Sequence, residues 1–142
     1  MKLTFLVLAV VLTLTCLPQP TTTHAQQKPE DLAQAAAQSW LALTDAGKYG
    51  ESWEQAASAF RGAVSKNQWV DAISNARTPL GKMQSRKLTG AQYIKDPPNA
   101  PAGEYVVIRY ATDFENKKDA VETISPMLDK DGKWRVSGYY IK

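Results

Sequence analysis

The chain has 142 residues, 44% of them hydrophobic, and carries 17 basic against 14 acidic side chains, a formal net charge of +3. So small an excess does not argue for nucleic acid as a partner, while the apolar share suffices for one domain with one core. There is one cysteine, Cys16, and one histidine, His24, so chemistry that needs several of either is excluded from the outset.

The first segment is "MKLTFLVLAVVLTLTCLPQPTTTHA". Lys2 precedes an apolar stretch from Leu3 to Leu17, shorter than the roughly 20 residues of a membrane span. A short basic start and an apolar middle are the pattern of a secretory signal peptide, and Thr23-His24-Ala25 offers a cut before Gln26. The rival is lipoprotein processing before Cys16, although Thr15 stands where a smaller residue is usual. The expected division is a signal peptide over 1–25 and a single domain over 26–142, exported to the periplasm or secreted, with no membrane span in the mature form. Such a cut would remove Cys16 and His24 together. No intrachain disulfide, histidine base or cysteine nucleophile would then remain, and no nitrogen–sulfur zinc or copper site. No metal and no cofactor is expected, and any chemistry falls to Asp, Glu, Tyr, Lys, Ser or Arg.

Pro29 suits the first position of a helix, with Glu30 and Asp31 favoured by the helix dipole. Leu32, Ala36, Trp40 and Leu43 follow at helical spacing, and Gly47 is the expected left-handed stop. A second helical piece is predicted from Tyr49 through Phe60 to Val64. Ser65 and Gln68 have the spacing of a capping box, with Val64 and Trp69 placed as a hydrophobic staple. A third helix therefore starts at Lys66, with Trp69, Ala72, Ile73 and Ala76 inward. Pro79 ends it by disfavouring a helical Thr78.

From there the period changes to two. Strands are predicted over 83–94, 104–114, 120–128 and the closing "KWRVSGYYI", with Asp131-Gly132 as a hairpin turn. Pro126 cannot donate to a ladder, so a bulge or an unpaired edge is expected there. Three N-terminal helices followed by a four-stranded meander is an α+β order, with the helices covering one face of a curved antiparallel sheet.

The stretches "SWLALTDAGKYGESWEQAASAFRGAVS", "QWVDAISNARTPLGKMQSRKL" and "VETISPMLDKDGKWRVSGYYI" carry a resemblance. Their distinctive pieces are Trp40-Leu41, Asp45, Tyr49, Ser52-Trp53, Arg77 with Pro79-Leu80-Gly81, Glu122-Thr123 and Gly138-Tyr139. In these the chain resembles the bacterial family called domain of unknown function 4019. The resemblance implies a small exported or envelope protein and assigns no activity. The layout is also similar to the nuclear transport factor 2-like, or cystatin-like, cone fold, an analogy that does not fix function.

Arg77 and Glu122 are the sharpest candidates. An arginine at a helix C-terminus suits the dipole, and a glutamate inside a strand is disfavoured unless something pairs with it. Three arrangements stay open: a structural Arg77–Glu122 ion pair, a solvent-facing Glu122, and a ligand-binding or catalytic pair. Alternation puts Val106, Ile108, Tyr110 and Phe114 on the apolar face of their strand, and Glu122 beside Ile124 and Leu128. Trp40 and Trp69 read as core. Tyr49 and Trp53, near the expected mouth of the cone, complete a candidate pocket with Arg77, Glu122 and Tyr139. Arg77, Lys82, Arg86, Lys87 and Lys95 form a basic run that reads as a solvated face, with anionic lipid, peptidoglycan or nucleic acid as the alternatives, the last put out of reach by export. No glycine-rich phosphate loop, serine-nucleophile motif or acidic metal loop is present.

The expected function is a non-catalytic module that binds a small molecule or an envelope protein. The first alternative is an enzyme resembling ketosteroid isomerase, using Asp45 or Glu122 as base with Tyr49 or Tyr139. The second is a purely structural or protein-interaction module.

Overall fold

The structure, a computed structural model, describes residues 26–142. The expected signal peptide, Cys16 and His24 lie outside the described residues. Four α-helices and one 3₁₀ turn precede four strands: α1 (Pro29–Asp45), α2 (Tyr49–Glu54), α3 (Ser58–Ala63), α4 (Lys66–Arg77), the turn Thr78–Leu80, β1 (Met83–Lys95), β2 (Glu104–Phe114), β3 (Ala120–Leu128) and β4 (Trp134–Ile141). The strands form one antiparallel sheet in the order β1-β2-β3-β4, curled but not closed. The α+β class and the helices-then-sheet order are as the sequence predicts.

The second predicted helical piece is two helices, because its middle is claimed by the sheet. The Ala57 amide donates to the Val136 carbonyl at 2.8 Å, and the Ser58 amide donates to the Asp129 carboxylate at 2.9 Å. Ser58 Oγ adds a second bond to the same carboxylate at 2.6 Å. Asp129 thus caps α3, whose own N-cap, Ala57, offers no side-chain acceptor. Its distant partner on the hairpin is what a local pattern does not reveal.

The start of α4 follows prediction. Ser65 Oγ accepts from the Gln68 amide, and the Gln68 side chain accepts from the Ser65 amide. Gly47 is left-handed, with φ +72°, and Gly132 turns the β3–β4 hairpin at φ +77°. A bulge falls between Ile124 and Pro126, where the missing donor required one.

The buried stripe of α1 is rotated from the predicted one. Ala33, Ala37, Trp40, Leu41 and Thr44 face the sheet, while Leu32 is 39% exposed. Two alanines on that face let the helix lie close to the strands, which the bulkier Leu32 would prevent. On α4 the buried residues are Trp69, Ile73 and Arg77, and Ala72 and Ala76 face outward. Val106, Ile108, Tyr110 and Ile124 meet these helices from the sheet to make the core. Trp40 stands 5.7 Å from Trp69 and 5.4 Å from Tyr139, ring centre to ring centre, and Phe60 meets Trp69 edge-on at 5.2 Å. No described helix is long and apolar enough to cross a membrane.

Candidate functional site

At one end of the helical layer, the last side chains of α1 and α4 meet, with α1 lying against the sheet. Asp45 is the last residue of α1 and Arg77 the last of α4. Arg86 points inward from β1, opposite Thr112 of β2, and Glu122 points inward from β3, opposite Tyr110. Tyr139 reaches the same point from β4. Glu122 is fully buried, and the Arg77 and Arg86 side chains are 4% and 12% exposed.

Arg86 is the hub. Its Nε donates to Glu122 Oε1 at 2.7 Å and its Nη1 to Asp45 Oδ2 at 2.7 Å. Its Nη2 reaches both carboxylates, at 3.0 Å to Asp45 and 3.2 Å to Glu122. Arg77 donates from Nη2 to Asp45 Oδ1 at 2.6 Å and from Nη1 to the Tyr139 hydroxyl at 3.1 Å. Thr112 Oγ1 donates to Glu122 Oε1 at 2.6 Å, and the Tyr139 hydroxyl donates to Glu122 Oε2. The guanidinium of Arg77 also lies over the Phe114 ring, 4.9 Å from its centre. Two cations meet two anions, so the cluster is neutral as a set. Such pairing is what burial of charge demands.

The Arg77–Glu122 pair of the sequence reading is present as one contact of a larger cluster. The two groups do approach, at 3.7 Å, but each is bonded more closely elsewhere: Arg77 to Asp45, Glu122 to Arg86. Arg86, read from its sequence neighbours as part of a solvated basic face, is the cation that neutralises Glu122. Strand alternation carried a signal for it, since Arg86 lies opposite Thr112 on the inward face while Lys87 and Ser85 are exposed. Asp45 carried another. An acid in the last turn of a helix opposes the dipole, and α1 has no basic residue there to offset it, so a cation from elsewhere was required.

The remaining candidates separate. Tyr49 lines a shallow cleft of about 330 Å³ that opens over Asp45 and Arg77, with Thr78, Lys82 and Glu115 around it. Trp53 contributes nothing to this site. Its indole N–H donates to the Val64 carbonyl at 2.7 Å and its ring packs on the core, so it ties α2 to the end of α3.

The electrostatics follow from the geometry. Burial alone would raise the Asp45 carboxyl, but hydrogen bonds and charge from Arg86 and Arg77 outweigh it and hold the group below its ordinary 3.8. Burial opposes the Arg86 cation in the same way, and the bonds to Asp45 and Glu122 override it and push the guanidinium above its usual value. Burial first, and the nearby Glu122 charge second, push the Tyr139 phenol far up, so it stays a hydrogen-bond donor. Among the described residues there is no group of three or more metal-ligating side chains.

A proton-transfer site needs a carboxylate with a lone pair facing substrate. Here Glu122, fully buried, accepts from Arg86, Thr112 and Tyr139, while Asp45, at the edge of the Tyr49 cleft, accepts from both guanidiniums. The arrangement is suited to holding six elements together, α1, α4 and the four strands.

Set against known proteins, residues 36–139 match the family model described as "Protein of unknown function (DUF4019)". No curated protein matches the chain.

Proposed function

The chain belongs to the DUF4019 family, and from that premise we propose that it is an exported, non-catalytic binding module for a small ligand or an envelope partner. One observation carries the reading: Asp45 and Glu122, the acids available for general base work, are both tied to the guanidiniums of Arg77 and Arg86. The cluster works as a clamp between helices and sheet, which leaves recognition to the clefts on the surface. Export rests on the leader pattern of Lys2 and the apolar Leu3–Leu17 run.

Native mass spectrometry of the protein purified from its own cell envelope tests this. A bound mass that disappears on denaturation, or a partner recovered by cross-linking in place, is expected. A bare mass under repeated gentle conditions, with no cross-linked partner, would overturn the reading.

A further inference from the structure

The four tryptophans are not alike. Trp40 donates its indole N–H to the Ser52 carbonyl at 2.8 Å, Trp69 to Ser52 Oγ at 2.9 Å, and Trp53 to the Val64 carbonyl at 2.7 Å. Among the described residues, the Trp134 N–H makes no hydrogen bond, nor is it a buried orphan. Trp134 opens β4, half-buried, and its ring lines a cleft of about 380 Å³ between α1, the end of α2 and the β3–β4 hairpin. That volume falls within the range of about 300–1,000 Å³ usual for small-molecule sites.

The cleft's other polar groups are also unspent. Neither the Gln55 amide nor the Lys133 ammonium has a side-chain partner among the described residues, and Glu54 uses only one carboxylate oxygen, on Lys66. Arg135 is held by Asp129 and Asp131, so its charge is already balanced. The wall therefore combines the indoles of Trp134 and the more deeply buried Trp40 with scattered donors and acceptors of both kinds and no dominant charge.

From this we infer that the Trp134 cleft binds a neutral oligosaccharide. A pyranose ring presents C–H groups that lie on an indole, as an apolar body does on any aromatic face. Its hydroxyls each donate and accept, so they satisfy an N–H, an amide and a carboxylate alike. A purely aromatic ligand would cover the indole but leave the amide and ammonium desolvated and unpaired. An anion would have the Lys133 ammonium alone to pair with in this lining, Arg135 being already bound by Asp129 and Asp131.

The inference rests on the binding-module reading and names the ligand class and place for it. The test is isothermal titration of the protein purified from its own cell envelope with three trisaccharides, of β-1,4-linked N-acetylglucosamine, β-1,4-linked glucose and α-1,4-linked glucose, and with adenosine as an aromatic control. Saturable binding of at least one trisaccharide is expected, weakened at least tenfold by Trp134→Ala and about fivefold by Gln55→Ala. Gln55 is exposed, so its variant keeps the test sound if Trp134→Ala fails to fold. Tyr140→Ala, on an exposed position of β4, should leave affinity unchanged. No binding by any trisaccharide at millimolar concentration would overturn the inference, as would binding that survives both cleft variants or adenosine binding in place of sugar. If sugars fail while native mass spectrometry retains another molecule, the sugar assignment falls and the binding-module reading stands.

Discussion

Arg86 is the residue on which the most depends. It hydrogen-bonds both carboxylates, where Arg77 hydrogen-bonds only Asp45 of the two, and its fork geometry is what allows four bonds from three nitrogens. Arg86→Ala should cost about 3–5 kcal/mol, because it leaves Glu122 buried without the cation that hydrogen-bonds it. Arg86→Lys should recover only part of that loss, since a single ammonium cannot fork onto two acids. The pH dependence follows from Asp45. Its carboxyl is held below 3.8 in the folded state, so the stability it contributes is complete above that value. That contribution is lost as pH falls through the lower folded value, because the unfolded chain then binds the proton more readily. Acid titrations of melting temperature should therefore show a steep loss below pH 3.8 in the parent, with Asp45→Asn less stable at neutral pH and flatter in that window. Asp129 titrates in the same sense, held down to about 2 chiefly by the Ser58 hydroxyl, with the Ser58 and Lys130 amides and Arg135 assisting.

Among the elements, the α4–β1 junction and α3 owe their shape to contacts made at opposite ends of the chain. Gly81, which closes the 3₁₀ turn after Arg77, has φ +72°. A Cβ there would stand 2.6 Å from a Glu115 carboxylate oxygen, the one that accepts from the Lys82 amide at 2.8 Å. Gly81→Ala should therefore destabilise by about 1–3 kcal/mol through backbone strain, with a further loss where Glu115 is displaced. Asp129→Ala should cost about 1–2 kcal/mol as a lost helix cap, read by chemical denaturation. These two cases show what the sequence could and could not disclose. The capping box at Ser65, the glycine stops and the Pro126 bulge are local chemistry, and each was legible. The break in the second helix was not, because Val136 and Asp129 supply its partners from more than 70 residues away.

For the whole molecule, the same division applies to the candidate site. Three of its members, Arg77, Glu122 and Tyr139, stood out in the sequence: Glu122 because a glutamate inside a strand is disfavoured, Arg77 as a cation at a helix end, and Tyr139 as an aromatic of the last strand. Their pairing did not, since the partner of a buried charge is set by how helices rest on the sheet. The one-residue rotation of α1 shows the same limit: Leu32 and Ala33 are near-equals in a pattern, and packing against β-strands chose the smaller. The central claim is that the Asp45–Arg77–Arg86–Glu122 cluster is a structural clamp. The most direct measurement is a double-mutant cycle of Arg86→Ala and Glu122→Gln, followed by urea unfolding. The account predicts that Arg86→Ala is severe and that adding Glu122→Gln restores part of the loss, because a neutral amide no longer needs the cation. If Arg86→Ala leaves the unfolding midpoint unchanged, or if the two losses simply add, the cluster does not hold the fold together and the account is contradicted.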